Sequence, residues 1–243
     1  MKAVILLAGK GRRIEKMGLS HKSLVKLDGE TLLSYIVENI ERAGIEEIVP
    51  IVGYHGEKVL EEIGRVKKKL KVYPIWNKRY DETNNLYSLY QARDILCHEA
   101  FISINGDMIF DYHILEHLLN NEESEIAIDD LRSKVLIDSP GVIIKDGRIV
   151  DLGRHISEKD RGGYAVGIYK YGKDLVEDFF DLSDQMLEKD LSHGFHDPLR
   201  KLFDKHIIKV SSVQSYKWTD IDEEGDIPIA LEILKGIENE NDM

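Results

Sequence analysis

The sequence of 243 residues contains one cysteine, five prolines and no long apolar run. A single thiol cannot form an intramolecular disulfide or a multi-cysteine metal site, so both are excluded. The apolar start of the chain, residues 1–7, is too short for a signal sequence or a membrane span. We therefore expect a cytoplasmic protein with no membrane insertion.

Positive charge is also scarce, since 33 Lys and Arg residues stand against 45 Asp and Glu residues, a net charge of −12. Nucleic-acid binders hold phosphate backbones with clustered Lys and Arg, whereas the one basic run here, Lys67 to Lys69 with Lys71, is short. We expect no nucleic-acid partner. Small phosphate-containing molecules are still allowed, because a few placed cations and a metal ion can hold them.

The first half of the chain alternates strand-like and helix-like segments. Strands are predicted at residues 2–7, 48–52, 72–76 and 101–104, and helices at residues 31–43, 57–63 and 86–96. Continuous apolar runs such as residues 2–7 are typical of buried parallel strands. This order predicts a right-handed, mostly parallel sheet, whose ligands bind at the carboxyl ends of the strands.

After about residue 124 the pattern becomes antiparallel. Asp146-Gly147 lies between two short apolar runs and predicts a hairpin turn. Further strands are predicted at 163–171 and 207–213, and helices at 175–187 and from about residue 226. The fold class is therefore α/β, a Rossmann-like mixed sheet with helices on both faces and a small antiparallel part. We expect a single domain over residues 1–243.

A glycine turn, Ala8-Gly9-Lys10-Gly11-Arg12-Arg13, directly follows the first strand. Glycines allow backbone N–H groups to approach phosphate oxygens closely. The third glycine of a dinucleotide-binding loop is missing, as is the G-K-[ST] end of a P-loop. A turn that ends in a cation suits a triphosphate that loses pyrophosphate, because Arg13 can hold the developing charge. Taken alone, a simple tight turn explains the motif equally well.

Charged residues follow other predicted strands. Lys22 can reach back over the glycine turn as a phosphate cation, although an exposed lysine is the simpler interpretation. Asp107 follows Asn105-Gly106 at the end of a buried strand, and Asp220 and Asp222 follow Trp218. Such carboxylates are suited to Mg²⁺, while a turn aspartate or a helix N-cap is the alternative.

Two polar stretches have competing interpretations. The amides of Asn84 and Asn85, at the start of a predicted helix, could read a base edge or cap the helix. The stretch His193-Gly194-Phe195-His196-Asp197 is expected to be a solvated loop, since two histidines three apart imply no third ligand for a transition metal.

Taken in order, these motifs resemble the sugar-1-phosphate nucleotidyltransferase superfamily, whose signature is A-G-x-G-x-R-[LI], P-K-x-L, G-D and W-x-D. The stretches from Thr83 to Leu89 and from Gly163 to Ile168 resemble its cytidylyltransferase branch, which includes phosphocholine, inositol-1-phosphate and aminoethylphosphonate cytidylyltransferases. Two positions depart from the pattern. Leu7 replaces a common alanine, and His21 stands where proline usually precedes the lysine.

The resemblance implies a nucleotide-binding half over about residues 1–123 and an acceptor-binding half over about residues 124–243. It implies that Arg13 and Lys22 are the catalytic cations, and that Asp107 binds Mg²⁺ together with Asp220 or Asp222. The nucleotide-binding residues would be Leu7, Ala8, Gly9, Gly11, Arg13, Gly53, Tyr54, Asn84, Asn85, Ser88 and Asp107.

Acceptor-binding candidates are Arg154, Tyr164, Lys217 and Trp218. A choline-like acceptor would favour an aromatic cage, and a polyol would favour polar hydrogen bonds. The sequence does not decide between them.

The expected function is Mg²⁺-dependent transfer of CMP from CTP to a small phosphorylated acceptor, with release of pyrophosphate. The alternatives are a UTP- or dTTP-dependent enzyme acting on a hexose-1-phosphate, and a non-catalytic nucleotide-binding regulator. A dinucleotide-dependent oxidoreductase is disfavoured by the missing third glycine. The expected partners are the nucleoside triphosphate and the acceptor, with the protein a monomer or a homodimer.

Overall fold

A computed structural model of the protein describes residues 1–11, 21–130 and 139–241. Within them the strands are β1 (Lys2–Leu7), β2 (Lys26–Leu27), β3 (Glu30–Thr31), β4 (Glu47–Val52), β5 (Lys71–Val72), β6 (Ile75–Trp76), β7 (Phe101–Asn105), β8 (Met108–Phe110), β9 (Ser124–Asp129), β10 (Gly141–Lys145), β11 (Arg148–Gly153), β12 (Gly163–Tyr171), β13 (Ile208–Ser212) and β14 (Trp218–Asp220). The helices are α1 (Leu32–Arg42), α2 (Gly56–Val66), α3 (Asn85–Tyr90), α4 (Arg93–Leu96), α5 (His113–Leu119), α6 (Lys173–Leu187), α7 (His196–Leu202) and α8 (Asp226–Asn241).

Parallel strands form the centre of the main sheet. Strand β1 lies between β4 and β7 and is parallel to both, with Leu7 opposite Val52 and Leu6 opposite Asn105. The short strands β5 and β6 extend this part beyond β4. Since these strands run in one direction, their carboxyl ends meet at one edge, as the sequence predicted.

The second half of the chain continues the same sheet in mixed orientation. Strand β12 is antiparallel to β7 and to β9, and β13, β11 and β10 follow in that order. All nine residues of β12, Gly163–Tyr171, are buried. Burial on both faces explains why apolar and aromatic residues occur at both sets of alternating positions along this strand.

Helices cover both faces of the sheet, which confirms the predicted layering. Along β1, Ala3, Ile5 and Leu7 pack on the side of α1, α2, α5 and α8, whereas Val4 packs on the side of α3, α4, α6 and α7. Helix α1 begins at the N-cap Thr31, whose hydroxyl accepts a hydrogen bond from the Ser34 amide at 3.1 Å. None of the described helices is long and apolar enough to cross a bilayer.

Two predicted elements are divided in the structure. The strand expected at residues 72–76 is split into β5 and β6 around Pro74, which has no amide hydrogen for a strand ladder. The helix expected at residues 86–96 is broken into α3 and α4. Leu89, Ala92 and Leu96 stay buried across that break, so the apolar spacing does not reveal it.

Lys170 is buried within the sheet, on β12, with 2% of its surface exposed. Its ammonium donates hydrogen bonds to the carbonyl oxygens of Leu118, at 2.6 Å, and of Asn121. These carbonyls lie at the end of α5, where backbone acceptors lack helical partners. The lysine therefore attaches the end of α5 to the sheet.

We expect Lys170→Met to lower the free energy of unfolding by about 2–4 kcal/mol, because two carbonyls would lose their buried donor. Urea denaturation followed by circular dichroism measures the change. Lys209→Met is the control, since Lys209 on the neighbouring surface pairs with Glu123 while 46% of its side chain is exposed. Equal losses in the two variants would contradict the assigned role.

Candidate active site

Two adjoining cavities open at the carboxyl ends of the central strands. Cavity A, of about 280 Å³, is lined by residues of the first half, including Ala8, Gly9, Tyr80, Thr83, Ser88 and Gly106. Cavity B, of about 310 Å³, is lined by residues of both halves, including Arg154, Tyr169, His196, Asp220 and Asp222. The two cavities share Asn84, Asn85, Asn105 and Asp107. A molecule in cavity A and a molecule in cavity B would therefore both contact these four residues.

Close backbone approaches shape the glycine turn after β1. The amide of Tyr54 donates a hydrogen bond to the carbonyl oxygen of Ala8 at 3.1 Å. A Cβ atom on Gly53 would lie 2.8 Å from that same oxygen, and a Cβ atom on Gly106 would lie 2.5 Å from the carbonyl oxygen of Leu6. Gly11 has a φ of 58°, in the left-handed region. Glycine is thus required at Gly53 and Gly106, where neighbouring strand ends meet, and the backbone conformation favours it at Gly11.

His21 fixes the segment that carries Lys22. Its Nδ1 accepts hydrogen bonds from the backbone amide of Ser23, at 3.2 Å, while its Nε2 lies 3.0 Å from the carbonyl oxygen of Leu7. Burial lowers the pKa of His21 to about 4, so the ring is neutral near neutral pH. Because Nδ1 is an acceptor, we assign the proton to Nε2, which donates to Leu7. A histidine thus ties this segment to β1 at the position where proline is usual.

Lys22 forms two ion pairs at the junction of the cavities. Its Nζ lies 2.8 Å from Oδ2 of Asp107 and 2.5 Å from Oδ1 of Asp222. Burial lowers the pKa of Lys22, but the two carboxylates outweigh that effect and the pKa is raised. The lysine is therefore a permanent cation at this place.

Asp220 ends β14, where it pairs with Met108 of β8, next to Asp107. Burial, together with the nearby charges of Asp107 and Asp222, raises its pKa to about 6. Helix capping does not occupy this carboxylate. Instead, Asp226 accepts the amides of Asp222 and Glu223 at the start of α8, at 2.7 and 2.8 Å.

Asp107 and Asp220 fit a magnesium ion. Mg²⁺ is usually held by one or two carboxylates, with water and substrate phosphate oxygens completing its shell. The charge of Asp107 is one of the causes that raise the pKa of Asp220, and a divalent cation between them would relieve that repulsion. Across the described ranges, no group of three or more His, Cys, Asp or Glu side chains is arranged to hold a metal ion.

Asn84 and Asn85 attach α3 to a distant segment. The backbone amide of Asn84 donates to the carbonyl of Leu191 at 3.2 Å, and its side-chain amide donates to the carbonyl of Ser192 at 3.0 Å. Oδ1 of Asn85 accepts the amide of Phe195 at 3.0 Å. These residues line both cavities, and they also hold the chain that forms one wall of cavity B.

That wall corrects the expectation of a solvated loop at residues 193–197. Phe195 is 1% exposed, and the half-buried His196 has its Nε2 at 2.8 Å from the hydroxyl of Tyr169. Burial lowers the pKa of His196 to about 4. His196 lines cavity B, which the sequence did not predict. Phe195, an apolar residue between polar neighbours, was the available signal that this segment packs inward.

The acceptor candidates separate into two groups. Arg154 lines cavity B as expected. Trp218 and Tyr164 are not among the described residues that line it, because both pack in the core. The indole N–H of Trp218 donates to Oδ2 of Asp129 at 3.2 Å, and the guanidinium of Arg161 lies 5.1 Å from the ring centre of Tyr164.

Three further predicted residues take other positions. Nζ of Lys217 donates to the carbonyl of Gly236 at 3.2 Å, on α8. Leu7 is buried in the core, and its carbonyl oxygen lies 3.0 Å from Nε2 of His21. Arg13 lies outside the described residues, so its role stays a prediction.

The fold matches solved nucleotidyltransferases. The inositol-1-phosphate CTP transferase from T. maritima superposes with a TM-score of 0.80 at 24% identity, covering 98% of this chain and 96% of that one. The class predicted from the sequence, a mixed α/β nucleotidyltransferase fold, is thereby confirmed.

Sequence comparison gives the family. Residues 3–137 match the model of the MobA-like NTP transferase domain. The CMP-5'-(3-aminopropyl)phosphonate synthase of Streptomyces rubellomurinus is 26% identical over 93% of this chain and 37% of its own length. The choline-phosphate cytidylyltransferase of Streptococcus pneumoniae is 35% identical over 44% of this chain and 45% of its own length. The chain thus matches less than half the length of these two relatives. The match of residues 3–137 to the family model shows that the chain belongs to the MobA-like NTP transferase family.

We expect Gly106→Ala to lower the free energy of unfolding by ~1–3 kcal/mol and to weaken nucleotide binding, because the new methyl group would force β1 and Asp107 apart. Denaturant titration and calorimetry with CTP measure the two effects.

Gly64→Ala is the matched control. Gly64 is exposed in α2 and a Cβ atom there would meet no atom within 4 Å. Alanine should stabilise that helix by up to about 1 kcal/mol and leave nucleotide binding unchanged. A Gly106→Ala protein that matches this control in both measurements would refute the assigned packing.

Proposed function

We propose that the protein is a Mg²⁺-dependent cytidylyltransferase that transfers CMP from CTP to a small phosphorylated acceptor and releases pyrophosphate. The observation that carries the proposal is the junction of cavities A and B at Asp107, beside the ammonium of Lys22. Two substrates bound in these cavities would bring their phosphates together at a place that already holds a buried cation.

The reaction requires few groups from the protein. An acceptor phosphate or phosphonate oxygen attacks the α-phosphorus, the new P–O bond forms, and the α–β anhydride bond breaks with its electron pair leaving on pyrophosphate. The attacking oxygen is already anionic, so no general base is needed. The enzyme must align two anions and neutralise their repulsion.

Each predicted group has a role in this scheme. The turn at Gly9 and Gly11 would hold the triphosphate with backbone amides, and Arg13 would bind the leaving pyrophosphate. Lys22 would turn from Asp107 and Asp222 to the phosphates of both substrates. Mg²⁺ held by Asp107 and Asp220 would neutralise phosphate charge when bound.

The choice of CTP rests on the relatives. Both curated relatives and the solved T. maritima transferase have names that specify CMP, cytidylyl or CTP chemistry. Thr83 and Ser88 line cavity A, and the buried Asn77 fixes their hydroxyl groups by donating to Ser88 at 2.9 Å and to Thr83 at 3.1 Å. A base bound there would meet fixed hydroxyl and amide groups.

The decisive experiment is a grid of pyrophosphate-release assays. The purified protein receives Mg²⁺, one of CTP, UTP, dTTP, GTP or ATP, and a phosphorylated acceptor. Release with CTP and a non-hexose acceptor supports the proposal. Release with UTP or dTTP and glucose-1-phosphate alone would keep the chemistry and overturn the base assignment. CTP binding without release across the grid would favour a regulator.

We expect Lys22→Ala and Asp107→Asn each to lower kcat/KM by about 10²–10³, because the first removes a cation that acts on the reacting phosphates and the second removes a carboxylate that would hold Mg²⁺. Steady-state pyrophosphate release measures the loss, and circular dichroism checks that each variant is folded. Activity should also disappear with EDTA and return with added Mg²⁺.

Lys26→Ala is the control for the loss of a positive charge. Lys26 is exposed on β2 and is outside the described lining of both cavities. Its removal should leave kcat/KM unchanged. A folded Asp107→Asn enzyme with the turnover of this control would refute the metal assignment.

A further inference from the structure

Asn105 lies where cavities A and B meet. It is the last residue of β7, opposite Leu6 on β1, and it comes two positions before Asp107 in the chain. It is half-buried and lines both cavities. A group that passes from one cavity to the other would therefore meet this residue.

The side chain of Asn105 differs from the other three that line both cavities. The side chains of Asn84 and Asn85 bind the backbone of residues 192–195, and Asp107 forms an ion pair. In the part of the chain that the structure describes, the side-chain amide of Asn105 forms no hydrogen bond. Of the four shared side chains, it is thus the one whose hydrogen-bonding groups the described protein does not use.

Strand β12 leaves space for this amide without binding it. The pairing of β12 with β9 shifts in register between Ala165 and Tyr169, and Gly167 within this irregularity has a φ of 92°. A Cβ atom on Gly167 would lie 2.8 Å from Nδ2 of Asn105 and 2.8 Å from Sδ of Met108. Packing against the glycine therefore restricts where the amide can lie.

An unpartnered amide at this junction is suited to a phosphoryl group. An amide has two N–H donors and one acceptor, and a partly buried polar group without a partner costs stability that a ligand can restore. In the proposed reaction, the α-phosphoryl group leaves the nucleotide in cavity A and joins the acceptor in cavity B. Its non-bridging oxygens carry negative charge during the transfer. A donor already placed between the cavities would stabilise that charge with little reorganisation.

We propose that Asn105 is a catalytic residue whose amide donates a hydrogen bond to a non-bridging oxygen of the α-phosphate during the transfer. No proton changes hands in this contact. The bond from the acceptor oxygen to the α-phosphorus forms as the anhydride bond to pyrophosphate breaks, and the amide keeps its hydrogens. The proposal rests on the transferase function proposed above, because it assigns cavity A to the nucleotide and cavity B to the acceptor.

The first test removes the amide. Asn105→Ala should lower kcat by about 10², because a donor that acts on the transition state is lost, while KM for CTP and for the acceptor should change by less than about threefold. Asn105→Leu keeps most of the volume of the side chain and also removes both donors, so we expect the same loss. Steady-state pyrophosphate release with the substrate pair of the wild-type protein measures these values, and circular dichroism checks the fold.

Asn120→Ala is the matched control. Asn120 is exposed at the end of α5 and is outside the described lining of both cavities. Its loss should leave kcat unchanged. A folded Asn105 variant with the kcat of this control would overturn the assignment. A loss of kcat confined to Asn105→Ala would also overturn it, because that result would indicate packing, as would a rise in KM at unchanged kcat, which would indicate substrate binding alone.

Sulfur substitution tests the contact with the α-phosphate itself. The two diastereomers of CTP with sulfur on the α-phosphorus each replace one non-bridging oxygen, and sulfur is the weaker hydrogen-bond acceptor. With one diastereomer, the ratio of kcat for CTP to kcat for the sulfur analogue should be roughly tenfold larger in the wild-type protein than in Asn105→Ala, because the variant has no contact left to weaken. Equal ratios in the two proteins for both diastereomers would overturn the proposal.

Failure of this assignment differs from failure of the transferase function. If the wild-type protein releases pyrophosphate and the Asn105 variants match it, the function stands and the assignment fails. If the wild-type protein releases no pyrophosphate across the grid of nucleotides and acceptors, the function fails and the assignment fails with it.

Discussion

The site depends on the ion pairs of Lys22. They join residues that are 85 and 200 positions apart in the chain, Asp107 after β7 and Asp222 after β14. Without the ammonium, the carboxylates of Asp107, Asp220 and Asp222 would repel one another in a partly buried place. The neutral ring of His21 holds the lysine's segment against β1. The active-site charges are thus also the contacts that bring the beginning, middle and end of the chain together.

Local sequence predicts the part of this arrangement that follows parallel strands. Gly9, Gly106 and Asp107 come directly after β1 and β7, and the carboxyl ends of neighbouring parallel strands must share an edge. Hydrophobic spacing likewise locates α1 and β12 closely, because each presents an apolar pattern of the right period. Where a motif directly follows a strand, the sequence is sufficient to predict that its residues lie at this edge of the sheet.

The sequence is not sufficient where contacts between distant parts of the chain decide whether a residue faces solvent, a cavity or the core. The stretch from His193 to Asp197 is predicted to be a solvated loop, but Asn85 binds the backbone of Phe195 and Asn84 binds that of Ser192 just before it, so the stretch forms a cavity wall. Trp218 is the opposite case, a predicted acceptor residue that packs in the core. An aromatic residue beside a motif can face the ligand or the core with no difference in the local sequence. Hydrogen bonds between residues about 110 positions apart leave no local pattern.

The asparagine pair also relates the two cavities to each other. Asn84 and Asn85 line both cavities, begin α3, and hold the wall that carries His196. A nucleotide that shifts α3 would therefore shift the acceptor wall, and an acceptor that orders the wall would reduce the ordering left for the nucleotide. Such linkage is reciprocal, so under the proposed function each substrate would change the binding of the other by the same factor. A favourable factor would offset part of the repulsion between the phosphates of the two bound anions.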